Sequence, residues 1–390
     1  MVRKPFFGIL IFIILISSLG CYIRAYEPPS SPAPGRPNPP ARIIHADIGL
    51  FYDDLAPYGD WFWLEGYGWV WSPYGASAGW RPYTNGYWIY TDYGLTWVSY
   101  YDWGWAPFHY GRWLYDPYYG WVWVPGTEWA PAWVAWRHGN GWIGWAPLPP
   151  QARWRVGIGI DLGGLNIDII IKPFWWCFTE ENRLFYAGGK LHIVPESRNV
   201  TVVKITKHVT NYVVVEKKIV NKSIDVKEIE RAIRRPVTHY SVVDVDSIKA
   251  SRVGVREKEA GFFRPELKEA SPGREPKVRE EAPVTKIAAG DEVAIGRPGA
   301  APQMENEKKV LERQHEMNRT ELERIQQKEM RKPPTKVSAE ELRKQHEEER
   351  KALEEKIQRE KDLLKKKQER EQKEKEKSNK ARGREKAEKE

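Results

Sequence analysis

The chain has 390 residues, 41% of them hydrophobic and 29% charged, with a formal net charge of +9. This length allows two or three domains. The positive excess does not belong to the aromatic part. Between Phe51 and Pro150 eight acids face only Arg81, Arg112 and Arg137, which argues against nucleic acid, since a surface that stacks bases is embedded in positive charge.

In chain order, Val2-Arg3-Lys4 precedes an apolar run from Phe6 to Leu15 and then Ile16-Ser17-Ser18-Leu19-Gly20-Cys21. A basic start, a short apolar core and small residues after it predict a secretory signal peptide over residues 1–20. The run is shorter than the roughly 20 residues of a membrane span. Ser18-Leu19-Gly20-Cys21 resembles a bacterial lipobox, with Ser18 where that pattern prefers Leu, and the resemblance implies lipidation at Cys21. Cys177, flanked by Trp176 and Phe178, then remains as a small buried hydrophobe without a neighbouring base to activate it. Residues 21–42 are rich in Pro and read as an extended tether.

Residues 43–150 are the aromatic stretch, and hold seventeen of the twenty Trp. Trp80, Trp105 and Trp129 recur about every 25 residues, as do Trp71, Trp97 and Trp123, and Trp88, Trp113 and Trp136. Such a period marks repeated supersecondary units that bury their apolar faces together. Trp69-Val70-Trp71, Thr96-Trp97-Val98 and Trp121-Val122-Trp123 predict strands, each entered through a Gly. Partner strands are expected at Gly86–Tyr90 and Gly111–Tyr115, with turn-rich links at Gly79–Pro82 and Gly104–Pro107. The expectation is three hairpins in a compact antiparallel unit.

Residues 151–250 predict a second β-rich domain with a short helix. Val156–Leu162 and Leu165–Ile171 alternate around Gly163-Gly164 as a hairpin would, and further strands are expected at Trp175–Phe178, Leu191–Val194, Val200–Ile205, Val209–Val215 and Tyr240–Val245. Asp225 to Pro236 carries a cap, Ile229 and Ile233 four apart, and a Pro stop, and predicts the helix. Residues 251–304 read as a linker without period, and residues 305–390 as a charged helical or disordered tail, split at Pro333-Pro334 and disordered after Lys365. The fold class expected is mainly β with this tail.

Gly104-Trp-Ala-Pro-Phe-His-Tyr-Gly-Arg-Trp113, Gly120-Trp-Val-Trp-Val-Pro-Gly126, Trp129-Ala-Pro-Ala-Trp133 and Gly141-Trp-Ile-Gly-Trp-Ala-Pro-Leu148 resemble a family of uncharacterised bacterial exported proteins with Tyr-x-Trp-Gly-x-Trp-type repeats and a charged C-terminal tail. The resemblance implies an envelope or exported protein and brings no catalytic residues. A looser likeness links the Gly-Trp pattern to aromatic cell-wall-binding repeats.

Two roles are open to the Trp. They can form the core, since a repeat poor in aliphatics builds its interior from aromatics. They can also exceed what a hundred residues bury, leaving an exposed patch that binds a partner. The candidates for such a surface are Trp80, Trp105 and Trp129 beside turns, with Tyr83, Phe108 and Tyr110 near them. Sugar rings and cations suit indole faces in acidic surroundings. His109 and His138 are too far apart to propose a metal site, His138 reads as a turn residue, and no cofactor motif or paired catalytic carboxylate stands out. The functional expectation is a non-enzymatic envelope protein, exported and lipid-anchored in periplasm or outer membrane, whose aromatic repeat meets a glycan or another envelope partner. The alternative is a structural spacer whose charged tail makes the contacts.

Overall fold

The computed structural model describes residues 44–277, 300–333 and 337–387, apart from residues 75, 77–78, 156, 165, 186–190, 252–254 and 272. The expected signal peptide, Cys21 and the tether lie outside the described residues.

After β1 (His45–Asp47) and the short helix α1 (Gly49–Leu55), four hairpins follow in succession: β2–β3 (Gly59–Leu64, Gly68–Pro73), β4–β5 (Gly86–Thr91, Gly94–Ser99), β6–β7 (Arg112–Asp116, Gly120–Val124) and β8–β9 (Val134–Gly139, Trp142–Pro147). Each carries a directly opposed Trp pair at the same place, Trp61–Trp71, Trp88–Trp97, Trp113–Trp123 and Trp136–Trp145, and the first hairpin adds a second, Trp63–Trp69. Cross-strand aromatic pairs are a favoured unit of sheet stabilisation. The same spacing explains a recurrent Gly two residues before the first Trp. A Cβ at Gly59, Gly86 or Gly111 would sit 2.5, 2.5 or 2.8 Å from the indole of Trp71, Trp97 or Trp123 across the hairpin. The indole lies where a side chain would be, so the position is kept bare. The fourth hairpin, absent from the sequence expectation, starts with Val134 instead of Gly and so escapes that pattern.

The remaining strands do not form a sheet system of their own. They are β10–β11 (Arg153–Arg155, Gly159–Asp161), β12 (Cys177–Glu180), β13 (Lys207–His208), β14–β15 (Tyr212–Val215, Lys218–Asn221), β16 (His239–Asp244), β17–β18 (Val255–Arg256, Glu259–Phe262) and β19 (Glu266–Lys268). Among the described residues, only β10–β11 and β1–β19 stand as separate pairs. β2–β3 and β7–β6 join in one antiparallel sheet, β12 and β13 flank β9 and β8 in a second, and a third runs β14-β15-β5-β4-β16-β18-β17. Strands expected in a separate domain therefore complete the hairpins, and part of the expected linker, residues 255–268, is β-structure.

Three local expectations change. Of the run expected at Leu165–Ile171, residues 166–171 do not form a strand: β11 pairs with β10, and Ile167–Ile170 forms a helical turn, α2, capped by the Asn166 side chain. Leu191–Val194 carries no strand. Val200–Ile205 is the helix α3 (Asn199–Ile205), despite its β-branched run. By contrast α4 (Val226–Ile233) is the expected helix, with the Asp225 carboxylate accepting from Lys227 N. A short α5 (Ile248–Ser251) precedes β17.

A single hydrophobic cluster runs from Phe51 to Phe263, and nine indoles in it are less than 2% exposed: Trp71, Trp88, Trp97, Trp113, Trp123, Trp133, Trp136, Trp145 and Trp176. Most rings meet edge-to-face or tilted, as at Trp88–Trp97 (5.1 Å, 66°) and Phe51–Trp123 (5.1 Å, 78°), the arrangement their quadrupoles favour.

The tail is two helices, α6 (Ala300–Arg331) and α7 (Ala339–Ala387), so helix continues where disorder is expected after Lys365. Leu322, Leu353 and Ile357 close a small apolar seam between them. The pair docks on the body through charge: Glu349, 1% exposed, accepts from the Thr201 hydroxyl at 2.9 Å and lies 3.6 Å from Arg198, which also reaches Glu329 at 2.9 Å. Farther along, Arg359 binds Glu196 at 2.7 Å.

Candidate functional site

Of the six aromatic residues expected from sequence, Tyr83 meets Phe108 (4.9 Å) and Trp105 meets Tyr110 (6.3 Å), whereas Trp80 packs on Trp103 and Trp113 and Trp129 on His109 and Phe262. Phe108 and Tyr110 are 0% exposed, Tyr83 1% and Trp105 7%, while Trp80 and Trp129 are half-buried. The Tyr83 hydroxyl donates to the Phe108 carbonyl at 3.1 Å and the Tyr110 hydroxyl to Pro265 at 3.0 Å; burial pushes both phenols up. Trp105 donates to the Asp54 carboxylate at 2.6 Å and Trp80 to the Tyr101 hydroxyl at 2.8 Å. Trp129 stacks on His109 (5.3 Å, 8°) with the Arg264 guanidinium 4.8 Å from its ring. The polar atoms of Trp80, Tyr83, Trp105 and Tyr110 are satisfied by protein, whereas the buried Trp129 Nε1 has no hydrogen-bond partner among the described residues. For Trp129, Trp105 and Tyr110 the physical reason for this burial is coverage by Phe262, Phe263, Arg264 and Pro265, far along the chain.

His109 is 2% exposed, and its Nδ1–H donates to the Ala130 carbonyl at 2.9 Å. Burial lowers its pKa to about 4. His138 is not a turn residue. It lies in β8 between Glu181 (2.6 Å) and Glu228 (3.3 Å), whereas its neighbour Arg137 turns to Asp168 (2.6 Å). Among the described residues no group of three or more His, Cys, Asp and Glu is placed to hold a metal ion.

A cleft of about 440 Å³ opens between the β4–β5 turn, the end of β15, the start of α4 and β16, lined by Tyr90, Asp92, Asn221, Asp225 and His239 among others. Its two carboxylates are engaged in holding the walls. Asp92 accepts from Val242 N at 3.0 Å and lies 3.4 Å from Lys218, and Asp225 caps α4.

Exposed aromatic surface appears where the sequence reading did not look. Trp63 is 65% exposed at the tip of the first hairpin, directly opposite Trp69 (5.8 Å, 87°), with Tyr67 37% exposed in the turn between them. The turn is closed by Tyr67 N donating to Leu64 O at 3.0 Å, and Gly66 adopts φ of 83°, which a side chain resists. The Gln151 amide donates to the Tyr67 hydroxyl at 3.2 Å. Trp63 lies outside the 25-residue series used to choose candidates, which is why periodicity passed over it.

The pattern of a family of unknown function, DUF6600, matches residues 52–152. That segment begins in α1 and contains all four hairpins, so the Trp pairs, the buried His109 and the Trp63 tip fall within the DUF6600 match, while β10 to β19 and the helical tail lie beyond it. No curated protein matches the chain, and no solved structure does.

Proposed function

We propose that the chain is a non-enzymatic scaffold of the bacterial cell envelope, exported and held to a membrane by lipid at Cys21. In this reading the Trp-rich hairpins are a rigid body, and contact with an envelope partner is made at its periphery. The observation that carries it is the use of the aromatic residues: nine indoles are less than 2% exposed, and the six candidates for a glycan surface are packed among protein groups. The charged tail, the contact element of the spacer alternative, is itself docked on the body through Arg198, Glu349 and Arg359. The signal-peptide and lipobox patterns support the location.

Incubating the purified chain with insoluble peptidoglycan and with envelope polysaccharides tests the reading. A scaffold leaves the polymers intact and is not retained. Retention that disappears on Trp80→Ala or Trp129→Phe, in variants that keep their thermal midpoint, would restore the glycan reading, and release of polymer fragments would make the chain an enzyme. Cys21→Ser is expected to move the chain from the membrane fraction to the soluble one.

A further inference from the structure

The four hairpins align on their Trp pairs, and the alignment assigns a role to Trp63. Two residues closer to each turn stand Trp63–Trp69, Tyr90–Leu95, Tyr115–Trp121 and His138–Ile143. In three hairpins a later segment of the chain meets this outer pair. His239 packs edge-on to Tyr90 at 5.5 Å. Glu181 and Glu228 hold His138. The third hairpin is the nearest relative of the first, since its outer pair is also doubly aromatic and T-shaped (5.6 Å, 76°). There Phe174 meets Tyr115 at 5.0 Å and Trp175 meets Trp121 at 5.0 Å, both from the single 3-10 turn Pro173–Trp175, and Arg359 of α7 lies 4.2 Å from the Phe174 ring.

At the first hairpin Trp69 packs partly against the core and Gln151 reaches the Tyr67 hydroxyl, but Trp63 itself is open: among the described residues its ring contact is with Trp69, and it is 65% exposed. Its charge is one-sided as well. From Gly59 to Pro73 the hairpin holds Asp60 and Glu65 and no Lys, Arg or His. An indole pair that is held apart by a rigid turn presents ring faces to an incoming ring edge, and an acidic rim favours a cation beside it. We infer that the Trp63–Trp69 tip is a docking site for a polypeptide turn of a partner protein that carries adjacent aromatic side chains and a basic residue, the chemistry that Pro173–Trp175 and Arg359 supply in cis to the third hairpin. This rests on the scaffold reading and names the chemistry of its partner.

The probe is the labelled peptide Lys-Pro-Phe-Trp-Trp, copied from Lys172–Trp176, titrated with the full chain and followed by fluorescence anisotropy. Saturable binding is expected, at least tenfold weaker in Trp63→Ala and several-fold weaker in Glu65→Lys. It should be absent for a peptide bearing Phe174→Ala and Trp175→Ala. Trp63 is mostly in solvent and its replacement loses only the ring contact with Trp69, so the thermal midpoint should fall slightly and the fold persist, which separates lost contact from lost fold. Absence of saturable binding, or binding indifferent to Trp63→Ala, would overturn the site. So would Trp63-dependent binding of chitohexaose or of phosphatidylglycerol vesicles without peptide binding, which would give the tip to a sugar or a membrane. Loss of peptide binding or vesicle binding leaves the scaffold reading standing, whereas sugar binding at Trp63 counts against both, and the scaffold reading alone fails on polymer retention through Trp80 or Trp129 or on polymer cleavage.

Discussion

A methyl group added at Gly86 would lie 2.3 Å from the Val98 carbonyl oxygen and 2.5 Å from the Trp97 ring, neither of which can withdraw from the hairpin. Gly86→Ala is therefore expected to lower stability by about 1–3 kcal/mol, the range for overpacking, read as an earlier urea midpoint at unchanged slope. His109 supplies a residue-scale pH dependence. Its folded-state pKa, lowered by burial to about 4, lies below the unfolded value of 6.5. The neutral ring is what folds, so its contribution is complete above pH 6.5 and is lost as pH falls through that interval towards 4. Two and a half units correspond to about 3 kcal/mol at most. Stability measured from pH 7 to pH 4 should fall, and His109→Phe, which keeps a ring between Trp129 and Phe262, should flatten that part of the profile. Arg112 is legible in sequence only as one of three bases in an acidic stretch. In the structure its guanidinium lies 3.6 Å from the Trp133 ring centre and donates to the Ala152 carbonyl at 2.9 Å. Arg112→Lys loses the planar stack and is expected to cost about 1–3 kcal/mol.

At the scale of elements, the docking of α7 depends on buried charge, and buried charge is unforgiving when one partner is removed. Glu349→Ala removes the carboxylate that accepts from Thr201 and Gln326, while Arg198 keeps Glu329, and is expected to cost about 1–3 kcal/mol locally. Because the hairpins do not depend on this contact, hydrogen exchange should speed up in α6 and α7 while the β4–β5 and β6–β7 amides stay protected. The hairpins themselves were readable because their cause is local: Gly, Trp and a tight turn recur at fixed spacing. The region after Pro150 was less so. Val200–Ile205 has a strand's composition, yet the turn Glu196–Arg198 feeds it into a helix, and Asn199 fastens its start to the Pro173 and Trp176 carbonyls at 2.9 and 2.6 Å. Propensity yields to such tertiary anchors. Leu165–Ile171 alternates as a strand does, but β11 already takes β10 as partner and no strand edge is paired with the alternating run.

For the whole molecule, the core made of rings predicts a spectroscopic signature. Trp emission should be blue-shifted, with iodide reaching only a minority of the signal. Trp63→Ala should remove a disproportionate part of that quenchable fraction, since Trp63 is 65% exposed. A mostly quenched spectrum would contradict the packing described. The sequence by itself determined the β-rich class, the Trp periodicity, the capped α4 helix and the helical tail, because turns, caps and cross-strand spacing are set within a few residues. The fate of the indoles could not be read there. Counted against their own hundred residues, they exceed what that stretch can cover. The tertiary structure decided otherwise by bringing α1, Trp176–Phe178, Tyr212 and Phe262–Phe263 over them, contacts that join residues far apart in the chain, as at Trp105 and Phe263. Burial is a property of the assembled surface, and it left Trp63 mostly uncovered at the tip of the first hairpin.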